Sequence, residues 1–178
     1  RESLAEMRLV VAGVNHRTAP VELREKLAYR PEEIPAALME LQARGAKEAV
    51  ILSTCNRVEL TATAAENFSD DMLLEALGAG RAGVILEELR PHLYRLEDNA
   101  AIRHLFRVAA SLDSMIVGEP QILGQLKQAY ALARDHGSVG PMLDTVLTRA
   151  FNVAKRIRSE TDIGRNAVSV SYAAVELA

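Results

Sequence analysis

The sequence has little cysteine and few aromatic residues, and both shortages exclude classes of protein. Cys55 is its single cysteine, so the chain can form no internal disulfide and no multi-cysteine zinc site. A lone thiol is typical of a reducing compartment, and we therefore expect a cytoplasmic protein. Tryptophan is absent and aromatic residues make up 4% of the chain, so surfaces for base stacking are not expected.

Long hydrophobic runs are also missing. The longest strongly apolar stretch, Leu9–Val14, is far shorter than the roughly 20 residues that a membrane-spanning helix needs. Residues 1–8 contain two acids and no apolar segment of the kind found in signal peptides. We expect no membrane span, no signal peptide and no membrane partner.

Composition and charge otherwise fit an ordinary soluble domain. The 178 residues are 49% hydrophobic and 25% charged, and at this length folding should bury roughly 70% of the surface of the unfolded chain. The net charge of −3 excludes a protein coated with basic charge for nucleic-acid binding. Residues 149–165 form a local basic patch, which is either a solvated helix face or a phosphate-contact surface.

The first half of the chain predicts strands that alternate with short helices. Segments with apolar or alternating patterns typical of strands are Arg8–Asn15, Ala49–Thr54, Val58–Thr63 and His92–Leu96. Helices are predicted at Thr18–Glu22, at residues 31–45 and, interrupted by glycines, within residues 66–90. In the third strand Glu59, Thr61 and Thr63 alternate with apolar residues, which predicts one solvated face.

From Asp98 onward the sequence predicts only helices. Asp98 is expected to cap the first, Pro120 to begin the second and Gly140 to precede the third. The residues expected on the buried sides are Ile102, Leu105, Phe106 and Ala109 in the first helix, and Ile122, Leu126, Ala129 and Ala133 in the second. Ser169–Ala178 predicts a further helix. We expect an α+β fold with an antiparallel sheet, followed by a helical C-terminal half.

Ser53–Arg57 is a dense polar cluster between two predicted strands, and it places Cys55 at a tight connection. Main-chain N–H groups and Arg57 at such a connection could stabilise a thiolate and make Cys55 a nucleophile. The alternative is a buried cysteine that behaves as a small hydrophobe. The polar Asn56 and Arg57 end the apolar run, which favours the nucleophile.

Two further features stay open on spacing alone. His104 lies about 200° around its predicted helix from Ile102, so it is not expected in the core. It is either solvated or faces a second wall that forms a cleft. Leu112–Gln121 is either a plain loop between helices or part of a site.

Four motifs, in this order, resemble those of one enzyme family, the glutamyl-tRNA reductases. They are Gly13–Arg24 (GVNHRTAPVELR), Ser53–Glu59 (STCNRVE), His104–Gln125 (HLFRVAASLDSMIVGEPQILGQ) and Ser169–Ala178 (SVSYAAVELA). Each motif alone is a weak signal, but the ordered set is specific and covers nearly the whole chain.

The resemblance implies an α+β catalytic domain with a ferredoxin-like sheet at residues 1–160. Residues 161–178 would be a linker and the start of a helix that leads to an NADPH-binding domain outside this chain. In the family, the cysteine that matches Cys55 attacks the ester of glutamyl-tRNA. NADPH then reduces the thioester to glutamate-1-semialdehyde, in the first step of tetrapyrrole synthesis. The resemblance further implies a homodimer in the full-length enzyme and no metal.

By matching positions, the resemblance assigns catalytic roles to Cys55 and His104. His104 would assist acid–base chemistry or orient the ester. The residues that it assigns to the glutamate site are Thr54, Asn56, Arg57, Ser114, Glu119, Pro120, Gln121 and Gln125. Arg57 would pair a substrate carboxylate bidentately.

The sequence departs from the family pattern at two positions and leaves two other functions open. Thr61 stands where the family usually has tyrosine, and Ser111 where it usually has glycine, and both changes concern packing. One alternative is a catalytically inactive tRNA-binding or regulatory module on the same scaffold. Another is a ferredoxin-like sensor of a small ligand, which no sequence feature beyond the fold class supports. The intact Cys55, Arg57 and His104 favour the enzyme.

Overall fold

The computed structural model describes residues 7–64 and 68–165 and has an α+β fold. The strands are β1 (Arg8–Asn15), β2 (Glu48–Ser53), β3 (Arg57–Ala64) and β4 (Tyr94–Glu97). The helices are α1 (Val21–Leu27), α2 (Ile34–Ala43), α3 (Asp70–Gly78), α4 (Leu86–Leu89), α5 (Asp98–Ala109), α6 (Gln121–Asp135) and α7 (Pro141–Glu160). Short 3-10 turns occupy Pro31–Glu33, Arg90–His92 and Asp162–Gly164. The predicted helix at Ser169–Ala178 lies outside the described residues.

The strands form one antiparallel sheet in the order β2-β3-β1-β4. β1 lies in the middle and pairs with β3 and β4, while β2 pairs with β3 and forms an edge. Along the chain the elements follow the βαββαβ pattern that, with this strand order, defines a ferredoxin-like sheet. The predicted fold class is therefore confirmed.

The prediction of a solvated face on β3 is wrong. All 8 residues of the strand are buried, including Glu59, Thr61 and Thr63. Helices from the second half of the chain cover this face. His104 of α5 packs against Glu59, and the first turn of α7 is hydrogen-bonded to Glu48 on the neighbouring strand β2. The helices thus enclose the polar residues that the alternation pattern had assigned to solvent.

Glu48 joins the sheet to the first turn of α7. Its carboxylate accepts hydrogen bonds from the main-chain N–H groups of Met142 (3.1 Å) and Leu143 (3.3 Å) and from the hydroxyl of Thr63 (3.0 Å). The first N–H groups of a helix lack partners within it, and a negative charge suits that end of the helix. Glu48 therefore caps α7 from the sheet. A Cβ atom on Gly140 would lie 2.4 Å from Glu48 Oε1, which explains the glycine.

The buried sides of the long helices follow the predictions in α6 but only partly in α5. In α6 the buried residues are the predicted Ile122, Leu126, Ala129 and Ala133. In α5 they are Ala101, His104, Leu105, Val108 and Ala109. Ile102 and Phe106, which were predicted to be buried, are only half-buried. The stripe is rotated because the sheet packs against the side that carries His104.

Asp98 does not cap α5 as predicted. Its backbone has a φ of +46°, and its carboxylate turns back to the first strand. There it accepts hydrogen bonds from the main-chain N–H of Leu9 (3.2 Å) and from Arg8 (3.3 Å). Asp98 therefore fixes the start of α5 to β1.

No helix within residues 7–64 and 68–165 is long and apolar enough to cross a membrane.

Candidate active site

Cys55 lies in the tight turn between β2 and β3. The N–H of Thr54 donates to the carbonyl of Arg57 (2.8 Å), and Thr54 Oγ1 accepts from the N–H groups of Asn56 and Arg57 (both 3.2 Å). The Cys55 side chain is exposed. The predicted tight connection is confirmed, and the alternative of a buried hydrophobe is wrong. The N–H groups of Asn56 and Arg57 donate to Thr54 instead. The expectation that these two groups stabilise a Cys55 thiolate is therefore wrong.

Arg24, on α1, holds the same turn from the other side. Its side chain is buried, and Nη1 donates to the main-chain carbonyl of Cys55 (2.6 Å) and to Oδ1 of Asn56 (3.4 Å). Its Nε donates to the carbonyl of Ala19 (3.2 Å). Sequence reasoning gave Arg24 no role, although it belongs to the Gly13–Arg24 motif. The spacing of residues within a short helix does not predict that the Arg24 side chain will contact a turn 31 residues further along the chain.

Arg57 points into the protein and is only 1% exposed. Its guanidinium pairs with the carboxylate of Glu59 and donates to the main-chain carbonyl of Asp113. The carboxylate of Asp113 lies 3.8 Å from Nη2. A buried arginine needs such partners, because an unpaired charge in the interior is strongly destabilising. The predicted bidentate pairing with a substrate carboxylate is not met in this geometry, since the chain's own groups engage the guanidinium.

His104 is a core histidine, and the prediction from helix periodicity is wrong. The residue is 7% exposed. Its Nε2 lies 3.0 Å from both carboxylate oxygens of Glu59, and its Nδ1 lies 3.5 Å from Oδ2 of Asp113. The ring of Tyr94 packs against it with centroids 5.6 Å apart. One alternative from the sequence was that His104 faces a second wall across a cleft. The surface that His104 faces is the sheet, which packs directly against the imidazole and leaves no cleft.

Glu59 is the electrostatic centre of this cluster. Burial alone would raise its pKa, but the hydrogen bond from His104 and the charge of Arg57 outweigh burial and hold the pKa at about 2. The hydroxyl of Tyr94 also donates to Glu59 (2.6 Å), and burial together with the Glu59 charge raises the pKa of Tyr94 well above its usual value. Glu59 is therefore ionised at neutral pH. A carboxylate only accepts, so Nε2 of His104 carries a proton.

The loop between α5 and α6 stands opposite the Cys55 turn and is anchored at its base. Arg158 Nη2 donates to the carbonyls of Gly118 (2.9 Å) and Glu119 (3.1 Å), and the buried Ser111 hydroxyl also donates to the carbonyl of Glu119. Ser111 has a φ of +59°, in the left-handed region that favours glycine. This backbone geometry explains why the resemblance expects glycine at position 111.

The basic patch at residues 149–165 offers less free charge than the sequence suggested. Arg158 is half-buried and binds the loop carbonyls, so it is no part of a solvated face. Arg156 is exposed but pairs with Glu160 (3.2 Å) on the next turn of α7. Lys155 is exposed on the same helix. Arg158 therefore anchors the loop, a role that neither alternative for the patch had included.

A narrow crevice opens between the turn and the loop. Its lining residues are Thr54, Cys55, Asn56, Arg57, Ser114, Glu119, Ile122, Gln121 and Gln125. The structure thus brings Cys55 together with every residue predicted for the glutamate site except Pro120, which is exposed at the start of α6. His104 lies behind Arg57 and does not line the crevice. The enclosed volume is about 20 Å³, room for about one water molecule.

His16 follows β1 and lies in the field of the same arginines. Burial, and then the charges of Arg57, Arg17 and Arg24, lower the pKa of His16. Its imidazole is therefore neutral at neutral pH, and its buried Nδ1 has no hydrogen-bond partner within the described residues. The sequence gave no reason to select His16, because its burial and the nearby charge of Arg57 arise only in the folded chain.

The described residues hold neither a metal cluster nor a dinucleotide-binding unit. No group of three or more His, Cys, Asp and Glu side chains within residues 7–64 and 68–165 could bind a metal ion. The sheet they form is antiparallel throughout, whereas a dinucleotide typically binds at parallel βαβ units. This part of the chain therefore does not fit NADPH.

Comparison with known proteins decides the family. Residues 12–161 match the family model described as the N-terminal domain of glutamyl-tRNAGlu reductase. The chain belongs to this family. The resemblance found in the four sequence motifs is thereby confirmed.

The relatives named here are longer than this chain. The glutamyl-tRNA reductases of Solibacter usitatus and Geobacter sulfurreducens are 58% and 53% identical to it over 173 residues, which are 97% of this chain but 41% and 40% of theirs. The solved glutamyl-tRNA reductase from Methanopyrus kandleri matches with a TM-score of 0.76 and 37% identity, over 95% of this chain and 39% of that one. The chain spans about two fifths of the length of these relatives.

Proposed function

We propose that this chain performs the acyl-transfer step of a glutamyl-tRNA reductase. The Cys55 sulfur attacks the carbonyl carbon of the ester that joins glutamate to the terminal ribose of tRNA. A C–S bond forms, the C–O bond breaks, and the ribose oxygen leaves with a proton as a free hydroxyl. The observation that carries the proposal is an exposed cysteine on a hydrogen-bonded turn, beside a crevice lined by polar side chains.

The residues around Cys55 position the reacting sulfur. Thr54 and Arg24 fix the turn from two sides, so the thiol is held on a rigid main chain. The contacts of Arg57 with Glu59 and Asp113 tie the sheet to the opposite loop and so set the spacing of the two walls. Orientation of this kind contributes to catalysis because small displacements of reacting groups cost rate.

His104 acts in this proposal as a positioning residue. It contacts Glu59 and Asp113, which in turn engage Arg57, and so influences the crevice through them. Replacing His104 with glutamine, which keeps a donor but cannot be protonated, should lower kcat more than it raises KM. It should also change the pH profile of kcat. A purely structural role would lower stability without moving that profile.

The second half of the reaction lies beyond this chain's own residues. Family membership supports reduction of the thioester to glutamate-1-semialdehyde, at the start of tetrapyrrole and hence porphyrin synthesis. NADPH would supply the hydride from a separate domain, and the part played by the described residues ends at the thioester. Glutamyl-tRNA as substrate, a homodimer of the complete enzyme and a cytoplasmic location, favoured by the lone thiol, belong to the same proposal.

Transfer of labelled glutamate tests this function. The protein is incubated with glutamyl-tRNA that carries radiolabelled glutamate, without NADPH, and label on protein and free tRNA are both counted. We expect label on the unaltered protein with matching release of tRNA, and none on Cys55→Ser of equal thermal stability. Binding of tRNA without any transfer of label would instead support the inactive tRNA-binding module, and equal labelling of both proteins would refute the role of Cys55.

A further inference from the structure

His16 lies beside the Cys55 turn and has no role in the acyl-transfer proposal. It follows Asn15, the last residue of β1, which pairs with Arg57 at the start of β3. Because the two strands are antiparallel, the chain beyond Asn15 runs in the direction of Asn56 and Cys55. His16 is half-buried there, next to the turn that carries the proposed nucleophile.

A hydrogen-bonded turn fixes the main chain around His16. Oδ1 of Asn15 accepts from the N–H groups of Arg17 (2.9 Å) and Thr18 (3.2 Å), and Thr18 Oγ1 accepts from the N–H of Asn15 (3.0 Å). Nδ1 of His92 donates to the carbonyl of Thr18 (2.6 Å). His16 is therefore presented from a rigid connection, as electrostatic catalysis by a preorganised group requires.

The charges around His16 make it a poor base. Burial and the charges of Arg57, Arg17 and Arg24 lower its pKa, so the imidazole is neutral at neutral pH. Arg17 and Arg57 each pair with a carboxylate, whereas Arg24 donates only to neutral oxygens within the described part of the chain. A proton taken up from the thiol would therefore add a positive charge to surroundings that are already net positive.

The single proton of the neutral ring lies on Nε2. Nδ1 is buried and has no hydrogen-bond partner within residues 7–64 and 68–165, whereas Nε2 is not buried. A proton on Nδ1 would bury an unsatisfied donor in the field of three arginines, while a lone pair on Nδ1 is favoured by that field. His16 therefore offers an N–H donor, from Nε2, on the surface beside Cys55.

Attack on an ester creates a need for such a donor. The carbonyl oxygen becomes an oxyanion when the sulfur adds to the carbonyl carbon, and hydrogen-bond donors placed at that oxygen stabilise the transition state. The main-chain N–H groups of Asn56 and Arg57 donate to Thr54 and do not supply this bond. A neutral imidazole is a suitable donor, because it provides an N–H without a charge.

We propose that the Nε2–H group of His16 stabilises the oxyanion that forms when the Cys55 sulfur attacks the ester. The inference rests on the proposed function, because it assigns a further catalytic residue to the same transfer. As the C–S bond forms, the carbonyl electron pair moves onto oxygen, and His16 donates a hydrogen bond to that oxygen without losing its proton. The pair returns as the C–O bond to the ribose breaks. The proton of the thiol ends on the ribose hydroxyl.

Two reactions of the same sulfur separate this role from others. Acylation by glutamyl-tRNA without NADPH forms an oxyanion, whereas alkylation of Cys55 by iodoacetamide displaces iodide and forms none. Both are followed as single-turnover rates. His16→Gln keeps an N–H donor near the position of Nε2, and His16→Asn holds the same amide closer to the main chain. His136→Asn replaces an exposed histidine at the end of α6 and is the control.

We expect His16→Asn to slow acylation about 100-fold, the effect of removing one oxyanion donor, and His16→Gln to recover most of that loss. Alkylation by iodoacetamide and the Kd for tRNA should not change in either variant, and His136→Asn should react as the unaltered protein does.

Three results would overturn the inference. Equal slowing of acylation and alkylation would mean that His16 acts on the sulfur, unchanged acylation of His16→Asn would leave His16 without a role, and equal acylation rates of the two His16 variants would show that the donor at Nε2 does not matter. If iodoacetamide alkylates the unaltered protein but glutamyl-tRNA does not acylate it, the proposed function itself is refuted, and the role of His16 with it.

Discussion

Replacing Glu59 with glutamine tests whether the buried charge cluster holds the site together. Glu59 is 1% exposed and receives hydrogen bonds from Arg57, His104 and Tyr94. Glutamine keeps the shape of the side chain but removes its charge. Arg57 would then stay buried with only the more distant carboxylate of Asp113, at 3.8 Å, to balance it.

The expected loss of stability follows from two independent estimates. A pKa of about 2 in the folded protein against 4.5 in the unfolded chain corresponds to about 3 kcal/mol at neutral pH. Removing one partner from a buried ion pair costs about 3–5 kcal/mol in other proteins. For a domain of this size each kcal/mol lowers Tm by about 2–4 °C. We therefore expect Glu59→Gln to lower Tm by about 10 °C.

Urea unfolding across a pH series measures this effect. Because the pKa of Glu59 is lowered by folding, its contribution is complete above pH 4.5 and is lost as the pH falls towards 2. The difference between the unaltered protein and Glu59→Gln should therefore shrink over that range. Glu160→Gln, which breaks only the exposed pair with Arg156, is the control and should change little. A Glu59→Gln variant as stable as the control at pH 7 would refute the reasoning.

Three further substitutions test single contacts. Arg24→Met frees the Cys55 turn and should slow thioester formation by up to about 100-fold with tRNA binding kept; an unchanged single-turnover rate would contradict it. In Gly140→Ala the added methyl group would clash with the Glu48 carboxylate, so the free energy of unfolding measured in urea should fall by about 1–3 kcal/mol. An unchanged free energy would show that Glu48 can move aside without loss of stability. Arg158→Ala releases the loop carbonyls and should cost about 2 kcal/mol, while a solvated arginine would cost nothing.

Local pattern was sufficient for the secondary structure and for the position of Cys55. The strands read from apolar and alternating runs appear in the sheet within a few residues, and the buried side of α6 matches its predicted stripe. The polar break after β2 placed Cys55 in a turn. Each of these features depends on residues close together in the chain.

Features that depend on distant segments could not be predicted in this way. Alternation on β3 indicated a solvated face, but α5 and α7 cover it and bury Glu59. The same packing turned His104 from an expected cleft or surface position into a core residue. Arg24 and Arg158 hold the two walls of the crevice through contacts 31 and 40 residues away in sequence. Residue spacing on one helix contains no information about such contacts.

Locating the acyl group is the most direct measurement of the central claim. The protein is mixed with glutamyl-tRNA in the absence of NADPH, quenched in acid, digested and analysed by mass spectrometry. The account predicts a single glutamyl adduct on the peptide that contains Cys55, and its release by neutral hydroxylamine as expected of a thioester. An adduct on any other residue, or the same adduct yield from Cys55→Ser, would contradict it.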